Sequence, residues 1–326
     1  MKNFLKILTI IIAILGIVYL VGPTVQKAKY ETALPTVPPL DSLITYVKNQ
    51  EDKHLIKPGN EAEIVWADSS RQQTEYAIVY LHGFSASKEE GNPVHLNFAK
   101  SINANLYLSR LADHGIDTIA PMQYFTADRL WETAKEAFAI GKKLGKKVIL
   151  VGTSTGATAA LQLAATYPEV HSLILLSPNI AINDNKVWML NNSWGLQIAR
   201  AVSGGDERVL DGKTPIYKKY WYDHYRLESV VQLQELLESS MTKSTFEKVK
   251  QPTLMLYYYK NEKQQDPVVK VSAMLKMFDE LGTVADQKEK HALPNTGNHV
   301  IGSAITSNDI PSVEKAINEF AKKYIY

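Results

Sequence analysis

The chain has 326 residues, a formal net charge of +2 and no cysteine. The missing cysteines exclude disulfides, thiolate metal sites and a cysteine-linked lipid, and with no basic stripe or stacking motif the charge gives no reason to expect nucleic acid. Hydrophobic content of 45% is ordinary for a globular protein, and about 300 residues beyond the N-terminal segment suffice for one large α/β domain with an insertion.

Met1-Lys2-Asn3-Phe4-Leu5-Lys6 is a short basic start, and Ile7 to Gly22 is uninterrupted by charge. As a helix that run spans roughly 24 Å, slightly short of a bilayer core, and Lys6 can snorkel to extend it toward Phe4. A basic start before an all-round apolar run is an export pattern. No Ala-x-Ala closes the run and Pro23 lies just past it, which favours an uncleaved signal anchor over a cleaved signal peptide for residues 1–22. Lys27 and Lys29 on the far side leave the positive-inside argument modest. The expectation is an exported protein held on the membrane, with its folded domain outside the cytoplasm.

Residues 23–60 read as a linker with one short helix. Pro23, Pro35, Pro38 and Pro39 mark extended chain, and Asp41 is placed to cap a helix from Ser42 to Asn49. Leu43, Ile44 and Val47 share a face of that helix, expected to pack on the domain rather than on the membrane.

From about Glu61 to the C-terminus, 61–326, short β-branched runs alternate with helical patterns. Ile64-Val65-Trp66 and Ala77 to Leu81 read as strands, Val94 to Asn103 as a helix, and Leu106-Tyr107-Leu108 as a strand leading to Asp113-His114-Gly115. A helix from Ala127 to Leu144 precedes the strand Val148 to Val151, and Leu173 to Leu176 is the next strand. Thr253 to Tyr259 and a segment near Lys288 to Leu293 supply two more. This alternation predicts an α/β fold with a mostly parallel sheet covered by helices on both faces. It stops between Ile180 and Lys250, where Trp188, Trp194, Tyr217, Tyr220 and Trp221 gather among turn signals. Residues of about 183–250 are therefore expected to form an inserted cap. Its aromatics either line a pocket or merely hold the cap together, and the second reading is the simpler.

Gly152-Thr153-Ser154-Thr155-Gly156 stands between the strand Val148 to Val151 and the Ala- and Leu-rich helix that follows. Gly-x-Ser-x-Gly at a strand-to-helix turn is the nucleophile elbow, in which the glycines permit a sharp turn that exposes the serine. Ser154 could also serve simply as a helix N-cap. A serine hydroxyl needs a base and a group that orients the base. Asp266 and then His299, in the loop Pro294 to Ile301, follow in the order the elbow arrangement uses. Glu262, four residues from Asp266 in the same loop, is the alternative acid. Upstream, His82-Gly83-Phe84-Ser85 follows a strand, where an oxyanion-hole loop is needed.

These pieces resemble the α/β-hydrolase family, in particular small carboxylesterases and monoacylglycerol lipases. The resemblance rests on His82-Gly83-Phe84, Arg110 to Gly115, Gly152 to Gly156, Asp266-Pro267-Val268-Val269 and Gly297-Asn298-His299, which fall in the family's order. It covers about Glu61 onward except the segment from Asn183 to Lys250, which takes the place of a cap after the family's sixth strand. Two positions depart from the family pattern: Asp113 stands where a glycine is usual, and Thr153 where a histidine is common. The resemblance implies Ser154 as nucleophile, His299 as base and Asp266 as acid, with the backbone N–H groups of Phe84 and Thr155 as the oxyanion hole. His82 and His114 are then expected to buttress loops.

No His-x-x-x-His helix, carboxylate cluster or phosphate-cradling glycine loop is present, so neither a metal nor a nucleotide cofactor is expected. The leading expectation is a serine hydrolase cleaving short or medium acyl esters or a monoacylglycerol through an acyl-enzyme. A thioesterase or amidase with the same triad is the second enzyme reading. A non-catalytic, membrane-tethered binding protein on a hydrolase fold is the third. Oligomeric state is not legible.

Overall fold

The computed structural model describes residues 1–326. Seven strands form the central sheet: β1 (Glu63–Val65), β2 (Thr74–Leu81), β3 (Asn105–Leu108), β4 (Gly145–Thr153), β5 (Val170–Leu176), β6 (Thr253–Tyr257) and β7 (Lys288–Ala292). Their order is β1-β3-β2-β4-β5-β6-β7. Only the edge strand β1 runs antiparallel to its neighbour, β3.

The central strands are buried on both faces, so they read as continuous apolar runs, and side-chain alternation still sorts them. Val79, Leu81, Leu150, Leu173 and Met255 face one core, packed by α4 (Ala127–Leu144) and α5 (Thr155–Thr166). Ile78, Tyr80, Ile149, Val151 and Ile174 face the other, packed by α3 (Val94–Ser101) and the C-terminal helix Ile310–Tyr324. Parallel strands joined by helices bring the loops after β2, β4, β5, β6 and β7 to one edge of the sheet, where open α/β sheets carry their sites.

At the N-terminus, α1 (Lys2–Leu20) is exposed along its length. Its 19 residues span about 28 Å, close to a bilayer's hydrocarbon core. This exposed apolar helix is consistent with a signal sequence or an anchor. The chain after it lies along the domain as a strap. Lys27 and the N–H of Ala28 both reach the carboxylate of the buried Glu235. Trp131 Nε1 donates to the Glu31 carbonyl, Tyr167 Oη to that of Thr32, and the buried Lys135 to that of Ala33. These contacts fix extended backbone that composition alone marks as linker. The helix expected from Ser42 to Asn49 is α2 (Leu40–Glu51). Pro39 occupies its N-cap position and Asp41 lies in the first turn, where a carboxylate still favours the helix dipole. Leu43 and Val47 are buried in the core.

Between β5 and β6 lie α6 (Gly195–Ser203), α7 (Pro215–Tyr220), α8 (Leu227–Ser240) and α9 (Lys243–Lys248), with a two-stranded ribbon pairing Glu207–Val209 with His224–Arg226. This stretch is not uniform. Leu233, Leu236, Phe246 and Val249 join the α4–α5 core, so α8 and α9 belong to the helical layer. Trp221, Tyr222 and Tyr225, near the end of the segment 183–226, pack on the loops at the strand ends.

Candidate active site

β4 and α5 meet at Ser154, whose backbone has φ 53° and ψ −117°. A non-glycine residue in this left-handed region costs on the order of 1–3 kcal/mol and persists only where its surroundings over-determine it. Here Ser154 N–H donates to the Leu176 carbonyl (2.9 Å), and the Ser154 carbonyl accepts from Asn179 N–H (3.1 Å). The end of β5 and the turn just after it thus clamp the elbow. Gly156 is required by close approach: any Cβ there would overlap the carbonyl of Leu81 at the end of β2. Ser154 is buried, with 6% of its surface exposed.

The loop after β6 carries Asp266 and the loop after β7 carries His299. The structure brings them together: His299 Nδ1–H donates to Asp266 Oδ2 at 2.6 Å. The other carboxylate oxygen accepts the N–H groups of Val268 (2.8 Å) and Val269 (3.0 Å). Asp266-Pro267-Val268-Val269 therefore wraps its own carboxylate. With Nδ1 as donor, Nε2 is the histidine's free acceptor. Burial by itself would push the His299 pKa down. The charge and hydrogen bond of Asp266 overcome this, with a further contribution from Glu90, and the pKa is raised above its ordinary value of 6.5. Glu262 goes elsewhere: it is exposed and accepts from Tyr259 Oη at 2.9 Å. No hydrogen bond joins Ser154 Oγ to His299 in this structure, a frequent condition of sites without substrate.

Phe84 and Thr155 supply unbonded backbone N–H groups beside Ser154. Thr155 is the first residue of α5, where an N–H has no partner within the helix and the helix dipole is positive. Phe84 follows β2 in the loop containing His82. The His82 Nε2 accepts the Leu111 N–H at 3.0 Å, which leaves Nδ1–H to donate to the Gly83 carbonyl at 2.9 Å. Burial holds its pKa well below 6.5, so it is a neutral strut between two loops. His114 is likewise buried, pushed down to about 4, and packs edge-on against Phe84 and Phe125.

Both departures from the family pattern have local explanations. Asp113 adopts φ 64°, the left-handed conformation that a glycine takes freely, and its carboxylate pairs with the Arg129 guanidinium through two contacts of 2.9 Å. Thr153 Oγ1 hydrogen-bonds Tyr80 Oη at 2.9 Å beneath the elbow.

Above the strand ends, Tyr222 N–H donates to the Ser85 carbonyl at 2.8 Å. Trp221 is buried with Ala86 and Val300, and stacks on Tyr217 at 4.9 Å. Tyr225 meets Phe84 edge-on at 5.1 Å. Some aromatics of this segment thus cover the site's loops, whereas Trp188 is largely exposed. One residue carried no expectation: Glu90, in the single turn Lys88–Gly91, is buried with its carboxylate on the Gly83 N–H. A doublet of acidic residues in a loop reads as solvated surface, so no local signal distinguished it. A separate polar cleft of about 380 Å³ lies between α2 and α4, lined by Glu51, Arg110 and Arg129 and away from Ser154.

Residues 78–304 match the Alpha/beta hydrolase family, and the chain belongs to that family. It is 27% identical over 212 residues to the human serine hydrolase BPHL, spanning 61% of this chain and 67% of that protein. Among solved structures, it resembles one from work on LipS and LipT, two metagenome-derived lipolytic enzymes (TM-score 0.65, 18% identity, 82% of this chain and 99% of that one). It also resembles the monoacylglycerol lipase of Paleococcus ferrophilus (TM-score 0.59, 14% identity, 80% and 98%). A third is Est1E from Butyrivibrio proteoclasticus with bound ferulic acid (TM-score 0.56, 16% identity, 81% and 95%). The fold is the α/β-hydrolase fold.

Proposed function

We propose that the protein is a serine hydrolase that cleaves carboxylic esters through an acyl-enzyme. The observation that carries this reading is the Asp266–His299 pair at 2.6 Å, on the same sheet edge as the strained elbow at Ser154. His299 Nε2 takes the hydroxyl proton as Ser154 Oγ attacks the ester carbonyl. The resulting oxyanion is held by the N–H groups of Phe84 and Thr155. His299 then gives the proton to the leaving alcohol, and the acyl group remains on Ser154. Water attacks the acyl-enzyme with His299 again as base, releasing the acid. Asp266 fixes the histidine's tautomer and stabilises the imidazolium. The ester preference follows the apolar character of the covering aromatics and the similarity to lipolytic proteins.

The test is covalent labelling. A fluorophosphonate probe should label the detergent-solubilised full chain at Ser154, and Ser154→Ala should abolish labelling while circular dichroism stays unchanged. A panel of p-nitrophenyl esters of increasing length then reads acyl preference. Undiminished labelling of the Ala variant would move the nucleophile elsewhere. The exposed apolar α1 supports an anchored, exported protein. Alkaline carbonate should then leave the chain in the membrane fraction, and a mature N-terminus beyond Gly22 would replace the anchor with a signal peptide.

A further inference from the structure

Glu90 is a buried carboxylate, 2% exposed, that forms no ion pair with a lysine or arginine. Its Oε2 accepts the Gly83 N–H, and the Trp221 side chain lies near enough to the same carboxylate to lower its pKa. A Cβ on Gly83 would sit 2.9 Å from both carboxylate oxygens and 3.0 Å from Ser154 Cβ, so the bare glycine lets carboxylate and serine approach one peptide. The Cβ position of Gly302 lies 3.6 Å from the Glu90 carbonyl, which places the loop after His299 against the same turn. Glu90 therefore touches the loop after β2, the end of α7 and the loop after β7. A lone buried carboxylate is costly, and such groups concentrate at functional sites.

We propose that Glu90 is a positioning residue for the acyl transfer, holding the Gly83–Phe84 turn so that the Phe84 N–H faces the oxyanion and adding a second negative charge, beside that of Asp266, toward His299. The proposal rests on the serine-hydrolase reading. Because Glu90 occupies the Gly83 N–H, the next N–H, that of Phe84, is the one left unbonded. Burial pushes the Glu90 pKa up to about 7, against the Gly83 hydrogen bond, the charge of His299 and the nearby Trp221 side chain, which hold it down. Other groups around it do not compete near neutral pH. Lys88 is engaged with Glu63 and Glu89 with Asn92. On α3, His95 is pushed down to about 4 by burial. Burial also raises the phenols of Tyr80 on β2 and Tyr217 on α7. To the extent that it is ionised near neutral pH, the carboxylate favours protonated His299 and so moves the acid limb of the activity profile to higher pH.

The experiment measures kcat and KM for p-nitrophenyl acetate against pH in the full, detergent-solubilised chain, with fluorophosphonate labelling in parallel. Glu90→Gln keeps shape and an acceptor but loses the charge. Its kcat should fall roughly tenfold with KM within about twofold, and the acid midpoint should move about half a unit or more to lower pH. Glu90→Asp keeps the charge, so its midpoint should stay near wild type even where kcat is reduced. Trp221→Phe removes the indole N–H, whose neighbourhood favours the ionised form; its midpoint should move in the same direction as Glu90→Gln by less, and it serves if Glu90→Gln does not fold. A wild-type profile in Glu90→Gln, or a lower kcat with an unmoved midpoint, overturns the proposal while Ser154 labelling stands. Loss of Ser154 labelling in the wild type would instead overturn the serine-hydrolase reading.

Discussion

Ser154 and Trp221 are both buried at the site, yet the two regions that hold them are built differently. The elbow is fixed from three strands at once: β4 delivers it, the end of β5 accepts its N–H, and the end of β2 packs against Gly156. Trp221 is held by one stack with Tyr217, a small cluster with Ala86 and Val300, and the neighbouring backbone bond from Tyr222 to Ser85. Elsewhere in 183–226, Tyr222 and Tyr225 reach the main core, while the stretch around α6 adds half-exposed ion pairs such as Arg200 with Asp206 and Glu228, which contribute little each. Ile198, Val202 and Trp188 stay exposed there. A floor fixed from three strands, beneath a cover with exposed apolar side chains, is the division expected where a substrate enters under a lid.

The largest effects should come from the floor. Ser154→Ala and His299→Ala are each expected to lower kcat for p-nitrophenyl acetate by about four to six orders of magnitude, with folding intact. Asp266→Asn should retain more activity than His299→Ala, because the acid orients rather than transfers the proton. The pH profile sharpens this. With His299 as the proposed base its neutral form is the reactive one, and its pKa is raised, so wild-type activity should be lost as pH falls through a midpoint above 6.5. Asp266→Asn removes the charge that overcomes burial, so its midpoint should drop. A midpoint unmoved by Asp266→Asn would break the assignment of the acid.

The same substitution in the two regions compares their tolerance directly. Gly156→Ala forces a methyl onto the Leu81 carbonyl, backbone in the middle of the sheet, and should cost about 3 kcal/mol or more in chemical denaturation. Gly205→Ala, in the turn after α6, meets nothing within 4 Å and should stay within about 0.5 kcal/mol. Comparable losses would mean that the cover is packed as tightly as the floor.

This contrast also governs what the sequence disclosed. Strand runs such as Val148 to Val151, and the elbow after them, were legible because their burial and their turn are dictated locally. β2 to β7 and the helices α3, α4 and α5 followed within a few residues, whereas the C-terminal helix Ile310–Tyr324 carried no expectation; Ser154, Asp266 and His299 stood out by order. The strap was not legible: Ala28 to Ala33 carries no periodicity, and its fixing partners, Trp131, Lys135, Tyr167 and Glu235, lie far along the chain. α8 and α9 likewise looked like part of the cover, because the core they complete is assembled from α4 and α5. Glu90 was hidden for a related reason. A carboxylate is buried only by tertiary neighbours, here Gly83 and Trp221, and nothing in Lys88-Glu89-Glu90-Gly91 announces them.

The smallest effect expected at this edge of the sheet concerns Glu262. By sequence it competed with Asp266, since both follow β6 in the same loop. Their surroundings separate them. Between β6 and Asp266 the chain forms a short hairpin, Tyr259–Asn261 against Gln264–Gln265, which carries Glu262 at its exposed tip. There it accepts from Tyr259 Oη, while Asp266 turns inward to His299. An exposed hydrogen bond of this kind is worth little, so Glu262→Gln should leave kcat within about twofold and stability within about 0.5 kcal/mol. The acid midpoint should also stay in place, because His299 draws its charge partners from Asp266 and Glu90. A crippled Glu262→Gln beside a healthy Asp266→Asn would transfer the orienting role from the inner carboxylate to the outer one, and leave the serine and the histidine where they are.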